Sequence, residues 1–269
     1  PDGRNPVYDK ELHSEIFSQG TLMLRLVIQI SMLLAIPLMG VYLFWQIERC
    51  AWFSVYVIVF NMLVGPVFLA GSMTSERERE TLDLLLTTTL TPWQILSGKF
   101  IVGFRISAVL TSFLLWPLLL GTALNMSFWS NWAAVGCMFA IVLMVCLVNA
   151  VIALMCSLFT KKTSIALLST YTALLILYVV PPALISLMEI LGFSDAKIAA
   201  MEWTGVSSPF SALFSIPLDE NLKREIDNEP ANIGNIPVVI GYFLFSFALI
   251  AVASVAMFAR LKSRRGLSE

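Results

Sequence analysis

The chain has 269 residues, of which 58% are hydrophobic and only 13% are charged. Soluble domains are about half apolar and about a quarter charged, so this composition excludes an ordinary soluble domain. The formal net charge is −1 at pH 7, and the single histidine, His13, excludes haem held by two histidines of the chain. We therefore expect a membrane protein with no metal site, no cofactor and no nucleic-acid partner.

The chain is predicted to begin with a helix that lies in the membrane interface, within residues 1–21. Asn5 can cap this helix, and Pro6 suits its first position. Apolar side chains from Val7 onwards then recur on one face, which is typical of a helix lying along a membrane surface.

Six apolar stretches are long enough to cross a bilayer, which takes about 20 predominantly apolar residues. They are residues 26–45, 51–71, 100–124, 132–159, 165–188 and 236–258. Too little polar sequence remains for a separate soluble domain. The predicted fold class is therefore an all-α polytopic membrane protein with six transmembrane helices, forming a single transmembrane domain over residues 1–269.

A charged insert, residues 72–99, separates the second and third apolar stretches. Ser75 followed by Glu78 is the pattern of a capping box, which predicts a helix beginning near Glu76. Acidic side chains in its first turns suit the positive end of the helix dipole. Leucines at positions 82, 85 and 86 give it an apolar face, and poor helix formers end it near Thr87. The pattern predicts one helix of about three turns.

A second start signal follows within the insert. Thr91 with Gln94 is another capping box, and Pro92 stands at the first helical position, so the third span is predicted to begin at Pro92. The insert helix has two interpretations, a charge run exposed to solvent or a contact surface for a partner protein. Its leucine face has nothing within the insert to pack against, which favours partner contact.

Several polar or charged side chains lie inside the predicted spans. Gln29, Asn61 and Asn149 can either line a substrate path or hydrogen-bond between helices. Arg105 lies inside the third span and is either a functional charge or a side chain that snorkels to the interface. Tyr171 stands among small residues of the fifth span and is, with Asn61, a candidate contact of a second chain.

Irregular structure is predicted late in the chain. Pro181 and Pro182 can kink the fifth span. In the region that follows, residues 189–235, Ser208 and Pro209 can begin a helix too short to span, which places it in the interface or as a re-entrant segment. The four cysteines lack metal-ligand spacing and are interpreted as small buried hydrophobes.

Basic residues are divided unequally between the two sides of the predicted bundle. With a cytoplasmic N-terminus, only four of the 17 lysines and arginines lie outside, namely Arg49, Lys197, Lys223 and Arg224. Because cytoplasmic loops carry an excess of Lys and Arg, both termini and the insert are predicted to be cytoplasmic.

The insert carries a specific resemblance. Its sequence Ser-Glu-Arg-Glu-Arg-Glu-Thr-Leu-Asp-Leu-Leu-Leu at residues 75–86, followed by Pro92, resembles the ABC-2 type permease family, the membrane subunits of ATP-driven exporters. The usual pattern of that family is a Glu-Arg-Glu core, commonly a Gly-Thr pair, and then Leu-x-Leu-Leu-Leu. The chain departs from this pattern at Glu80, where glycine is common.

The resemblance implies six spans, a coupling helix between spans two and three, and short helices in the outer leaflet between spans five and six. The residues that would couple the chain to an ATPase are Glu76, Arg77, Glu78, Thr81, Leu82, Leu85 and Leu86. Two copies of a separate ATPase subunit, a second permease copy or paralogue, and location in the bacterial inner membrane are also implied. Asn61, Tyr171 and Arg105 are then candidates for the substrate path or the dimer interface.

No G-x-x-x-x-G-K-[ST] motif occurs in the chain, so ATP is expected on the separate subunit and no catalytic residue is expected here. The predicted function is the permease subunit of an ATP-binding cassette exporter. The alternative is a membrane scaffold or assembly subunit that binds a soluble partner through the same insert.

Overall fold

Helices form the whole of the secondary structure in the residues that the computed structural model describes, which are 22–41, 50–81, 91–124, 132–193, 203–216 and 236–265. In chain order they are α1 (Leu22–Met39), α2 (Cys50–Ala70), α3 (Thr74–Glu78), α4 (Pro92–Leu124), α5 (Trp132–Phe159), α6 (Thr163–Tyr178), α7 (Val180–Ile190), a 3-10 helix (Trp203–Ser207), α8 (Pro209–Phe214) and α9 (Ile236–Arg265). The all-α prediction is confirmed for these residues.

Four of the described helices, α2, α4, α5 and α9, are long and apolar enough to cross a membrane. Helices α6 and α7 form a fifth candidate span, with a bend of 42° between them. Helix α1 has 18 residues, and the part of it with described side chains, Ile28–Met39, is a shorter apolar helix. This set is compatible with a polytopic membrane protein, and the count of six spans stays a prediction.

Three predicted features lie outside the described residues. They are the interfacial helix within residues 1–21, the leucine face of the insert (Leu82, Leu85 and Leu86) and the polar part of the region before the last span, from residue 217 to residue 235.

Helices α2 and α5 are the most enclosed of the long helices, and α9 is the least enclosed. Phe53 of α2 and Ile141 of α5 have no exposed surface. On the outside, large apolar side chains such as Leu244 and Val252 of α9 are exposed. Exposed apolar surface of this kind is what a lipid bilayer covers.

A chain of buried hydrogen bonds joins four helices inside the bundle. The Asn61 amide of α2 donates to Thr111 Oγ1 (2.5 Å) and to Ser107 Oγ (3.3 Å) of α4. Asn149 Nδ2 of α5 donates to Asn61 Oδ1 at 2.8 Å, and the Tyr178 hydroxyl of α6 donates to Asn149 Oδ1 at 2.9 Å. Asn61 and Asn149 therefore hydrogen-bond between helices, one of the two interpretations that their sequence positions allow.

The candidate contacts of a second chain are placed differently by the structure. Asn61 is 1% exposed and hydrogen-bonded within the chain, and its suggested role in the substrate path or the dimer interface stays a prediction. The Tyr171 hydroxyl donates to the Leu63 carbonyl at 2.6 Å, and the tyrosine stays partly exposed. Arg105 is exposed on α4, and Gln29 is exposed on α1. The roles suggested for Tyr171 and Arg105 stay predictions.

The cysteines with described side chains differ in burial. Cys146 is buried, Cys156 is partly buried and Cys137 is exposed near the start of α5. The prediction of burial is therefore wrong for Cys137, because a small apolar side chain at that position faces the outside of the bundle.

The fifth apolar stretch is bent between α6 and α7, next to its two prolines, where the sequence predicts a kink. Helix α6 ends at Tyr178, and Pro181 and Pro182 lie in the first turn of α7. The short helix predicted after Ser208 is also present, as α8, but the Ser208 side chain makes no cap bond to it. That part of the prediction is wrong, because Ser208 binds the break in the fifth span instead.

Candidate functional site

The first described part of the insert, Ser72–Thr81, lies where α2 and α5 end and where α4 and α6 begin; we call it the insert segment, and this end of the bundle the insert end. Its helix α3 begins at Thr74 rather than near Glu76. The backbone N–H groups of Met73 and Thr74 donate to Ser157 Oγ of α5 at 2.9 and 3.2 Å. A hydroxyl from another helix therefore satisfies amides that a helix start leaves unpaired.

The predicted capping box of Ser75 and Glu78 is wrong. Helix α3 has no side-chain N-cap bond. The Glu78 carboxylate instead accepts hydrogen bonds from the Thr163 backbone N–H at 2.8 Å and from the Thr163 hydroxyl at 3.2 Å. Since Thr163 is the first residue of α6, Glu78 caps the N-terminus of α6, where a carboxylate also suits the positive end of the helix dipole.

Arg77 binds the C-terminal end of α5. Its guanidinium donates to the Leu158 carbonyl at 3.0 Å and to the Thr160 carbonyl. Carbonyls at a helix C-terminus lack intrahelical partners, and a cation there suits the negative end of the helix dipole. Arg77 and Glu78 together therefore bind both sides of the connection between α5 and α6.

Glu76 faces α4. The ammonium of Lys99, on α4, is 3.7 Å from Glu76 Oε1, and it donates to the Ser72 carbonyl at 2.9 Å. Lys99 is only 2% exposed, so its charge needs a partner inside the protein. The Thr81 hydroxyl also donates to the Glu76 carboxylate. The pair ties the start of α4 to the insert segment just beyond the end of α2.

Helix α3 ends in a Schellman motif. The Thr81 N–H donates to the Glu76 carbonyl at 2.9 Å, and the Glu80 N–H donates to the Arg77 carbonyl at 3.1 Å, the two bonds that define this motif. Glu80 has a φ of 57°, in the left-handed region that favours glycine. The prediction of one continuous helix from Glu76 to Thr87 is therefore wrong, because helical geometry stops before Glu80.

Replacement of Glu80 by glycine is expected to stabilise the protein. A residue with a Cβ in the left-handed region is about 1 kcal/mol less favourable than glycine, and the Glu80 side chain is exposed. We expect the apparent thermal midpoint in detergent to rise by about 2–4 °C. Glu80→Ala is the control and should give no such rise, because alanine keeps the Cβ. Equal midpoints for the two variants would contradict the strain at this position.

The N-terminus of α4 carries the second predicted capping box, and this prediction is confirmed. The Thr91 N–H donates to Gln94 Oε1 at 2.8 Å, and the Gln94 N–H donates to the Thr91 hydroxyl at 3.3 Å. Helix α4 begins at Pro92, also as predicted. Helix α4 therefore has a start signal in its own sequence. The first turns of α3 and α6 are instead capped by side chains from other parts of the chain.

Four of the predicted coupling residues, Glu76, Arg77, Glu78 and Thr81, lie in the insert segment, and the first three each bind a different helix. The sequence did not reveal the partners Lys99, Ser157 and Thr163. Lys99 is a single charge at the start of an apolar helix, and this position could have indicated that it needs a partner. Nothing in the sequence distinguished Ser157 from the other hydroxyl groups of the apolar helices. The arrangement holds helix ends in fixed relation, which is a mechanical role.

No protein-family model matches the chain, and no curated protein matches it.

Proposed function

We propose that the chain is the membrane-spanning permease subunit of an ATP-binding cassette exporter. In this proposal a separate ATPase subunit hydrolyses ATP, a second permease copy or a paralogue completes the transport path, and the insert end of the bundle faces the cytoplasm. The observation that carries the proposal is that three successive side chains, Glu76, Arg77 and Glu78, bind three other helices that are parts of spans.

Coupling to an ATPase needs a surface that the ATPase can push and a connection from that surface to the spans. The exposed side chains of Arg79 and Glu80 provide such a surface at the tip of the insert segment. The connection consists of the bonds of Glu76 to α4, Arg77 to α5 and Glu78 to α6, together with the chain itself, which continues into α2. A displacement of the tip therefore acts on four helices at once.

The geometry gives the motif residues a revised role in this proposal. Glu76 and Glu78 are engaged within the chain. They therefore position the ends of the spans. Contact with the ATPase is left to Arg79, to Glu80 and to the three leucines at positions 82, 85 and 86.

A membrane scaffold would use the same segment to bind a soluble partner, and the two functions differ in what the partner does. The test is to express the affinity-tagged chain with an ABC-type ATPase encoded beside its gene, purify the complex and measure ATP hydrolysis in proteoliposomes. We expect a stable complex in which hydrolysis is faster than that of the ATPase alone. A stable complex with a protein that hydrolyses no ATP would overturn the permease proposal in favour of the scaffold.

Charge reversal at the tip tests the contact surface. We expect Glu80→Lys to reduce ATPase stimulation by about three- to tenfold, the effect of roughly 1 kcal/mol at a polar contact. Glu189→Lys is the matched control, because Glu189 is also exposed but lies at the end of α7, away from the insert segment. The control should leave the stimulation unchanged. Equal losses in the two variants, or none in either, would contradict coupling through this tip.

A further inference from the structure

The break in the fifth span leaves two backbone carbonyls without helical partners. On either side of the break the helical bonds are intact, from the Val179 N–H to the Leu175 carbonyl (3.0 Å) and from the Ala183 N–H to the Val179 carbonyl (3.1 Å). Between them stand Pro181 and Pro182, which have no N–H. In an α-helix these two residues would donate to the carbonyls four positions earlier, which are those of residues 177 and 178.

Two serines of a distant segment supply bonds to these two carbonyls. Ser208 Oγ donates to the Tyr178 carbonyl at 2.6 Å, and Ser207 Oγ lies 3.3 Å from the Leu177 carbonyl. Ser207 Oγ is also 3.1 Å from the Thr204 carbonyl, and its one proton serves both. The bond from Ser208 is therefore the stronger of the two. Ser208 has no exposed surface, so water does not reach this bond.

The two serines belong to the segment Trp203–Ile216, which we call the returning segment. It packs closely against α9 and α2. A Cβ on Gly241 of α9 would lie 3.0 Å from the Val206 side chain, so a larger residue there would force that side chain to shift. At the other end of the segment, the Phe214 ring meets the Trp52 ring of α2 edge-on at 5.5 Å between centroids. The two serines therefore reach the break as part of a larger fitted contact.

We propose that Ser207 and Ser208 are positioning residues that replace the two amide donors missing at Pro181 and Pro182, so that the returning segment and the bend of the fifth span form one structural unit. Departure of the returning segment exposes two unpaired carbonyls in apolar surroundings, which is strongly unfavourable. The bend and the docked segment therefore stabilise each other. This inference goes beyond the proposed transport function and does not depend on it.

The test is a double-mutant cycle between Ser208 and Pro182. Ser208→Ala leaves the Tyr178 carbonyl unpaired, and we expect the apparent thermal midpoint in detergent to fall by about 3–6 °C. In a Pro182→Ala background the new amide can donate to that carbonyl, so the same serine substitution should have almost no effect. A matched cycle with Pro117→Ala, in the unbroken helix α4, should leave the effect of Ser208→Ala unchanged.

A second readout follows docking in the folded state. Ala212 of α8 has no exposed surface, so a cysteine placed there, with the four native cysteines replaced by alanine, reacts with maleimide only when the returning segment is displaced. We expect Ser208→Ala to raise the labelling rate about fivefold, the factor that corresponds to loss of one hydrogen bond. With alanine at position 182, the serine substitution should leave the rate unchanged.

Ser207 and Pro181, the pair with the weaker hydrogen bond, provide a second and independent test. Ser207→Ala should show the same pattern against Pro181→Ala with a smaller effect, because its hydroxyl is shared with the Thr204 carbonyl. This second test decides the question if Ser208→Ala does not fold. Serine effects that are the same size with and without the partner proline, in both readouts, would overturn the proposal.

Discussion

Replacement of Asn149 by leucine is expected to destabilise the protein by about 2–4 kcal/mol. The substitution removes the partner of two buried groups, because Asn61 Oδ1 loses its donor and the Tyr178 hydroxyl loses its acceptor. Asn61 and Tyr178 are each 1% exposed, so water does not replace the lost bonds. In detergent the apparent thermal midpoint should fall by about 5–10 °C.

Gln29→Leu is the matched control for this prediction. It is also an amide within an apolar helix, but it is exposed on α1 rather than buried, so its replacement by leucine should not lower the midpoint. Adding Tyr178→Phe to the Asn149→Leu variant should recover part of the loss, because it removes one of the two unpaired groups. Equal losses at positions 29 and 149 would show that the buried hydrogen bonds contribute little.

The two predicted capping boxes show what the sequence could and could not predict. Thr91–Gln94 and Ser75–Glu78 have the same spacing, yet only the first forms. Glu78 binds a residue 85 positions later instead, at the start of α6. A local pattern reports only the local alternatives. Which capping bond forms depends on which helix ends the fold brings together. A single sequence does not show which distant helix ends are neighbours.

The rest of the structure shows the same difference between local features, which the sequence predicts, and contacts between distant residues, which it does not. The apolar spans were predictable because their hydrophobicity depends on composition and length. The bend at Pro181 was predictable because proline lacks an N–H. The partners of Lys99 and Ser208 were not, since each binds a backbone carbonyl about 30 positions away in the chain. The left-handed backbone of Glu80 was not predictable from its residue type, because glycine is the residue that favours this conformation.

Replacement of Glu76 by glutamine is expected to destabilise the protein by about 3 kcal/mol. Glutamine keeps the shape of the side chain but removes the negative charge 3.7 Å from the Lys99 ammonium. Breaking a buried ion pair by neutralising one partner costs about 3–5 kcal/mol. We expect the lower end of that range because the Glu76 side chain is 12% exposed and the Ser72 carbonyl still accepts a bond from Lys99. The apparent midpoint should fall by about 6–12 °C.

Adding Lys99→Met to the Glu76→Gln variant should recover most of that loss, because replacing both members of a buried pair by neutral side chains is often nearly neutral. Glu80→Gln is the control, since Glu80 is exposed and its charge should not affect stability. Losses that add in the double variant would contradict the pairing. A recovered double variant would also separate folding from coupling: the protein is stable, but the bond between the insert segment and α4 is gone. In the proposed transport mechanism its ATPase stimulation should therefore stay reduced.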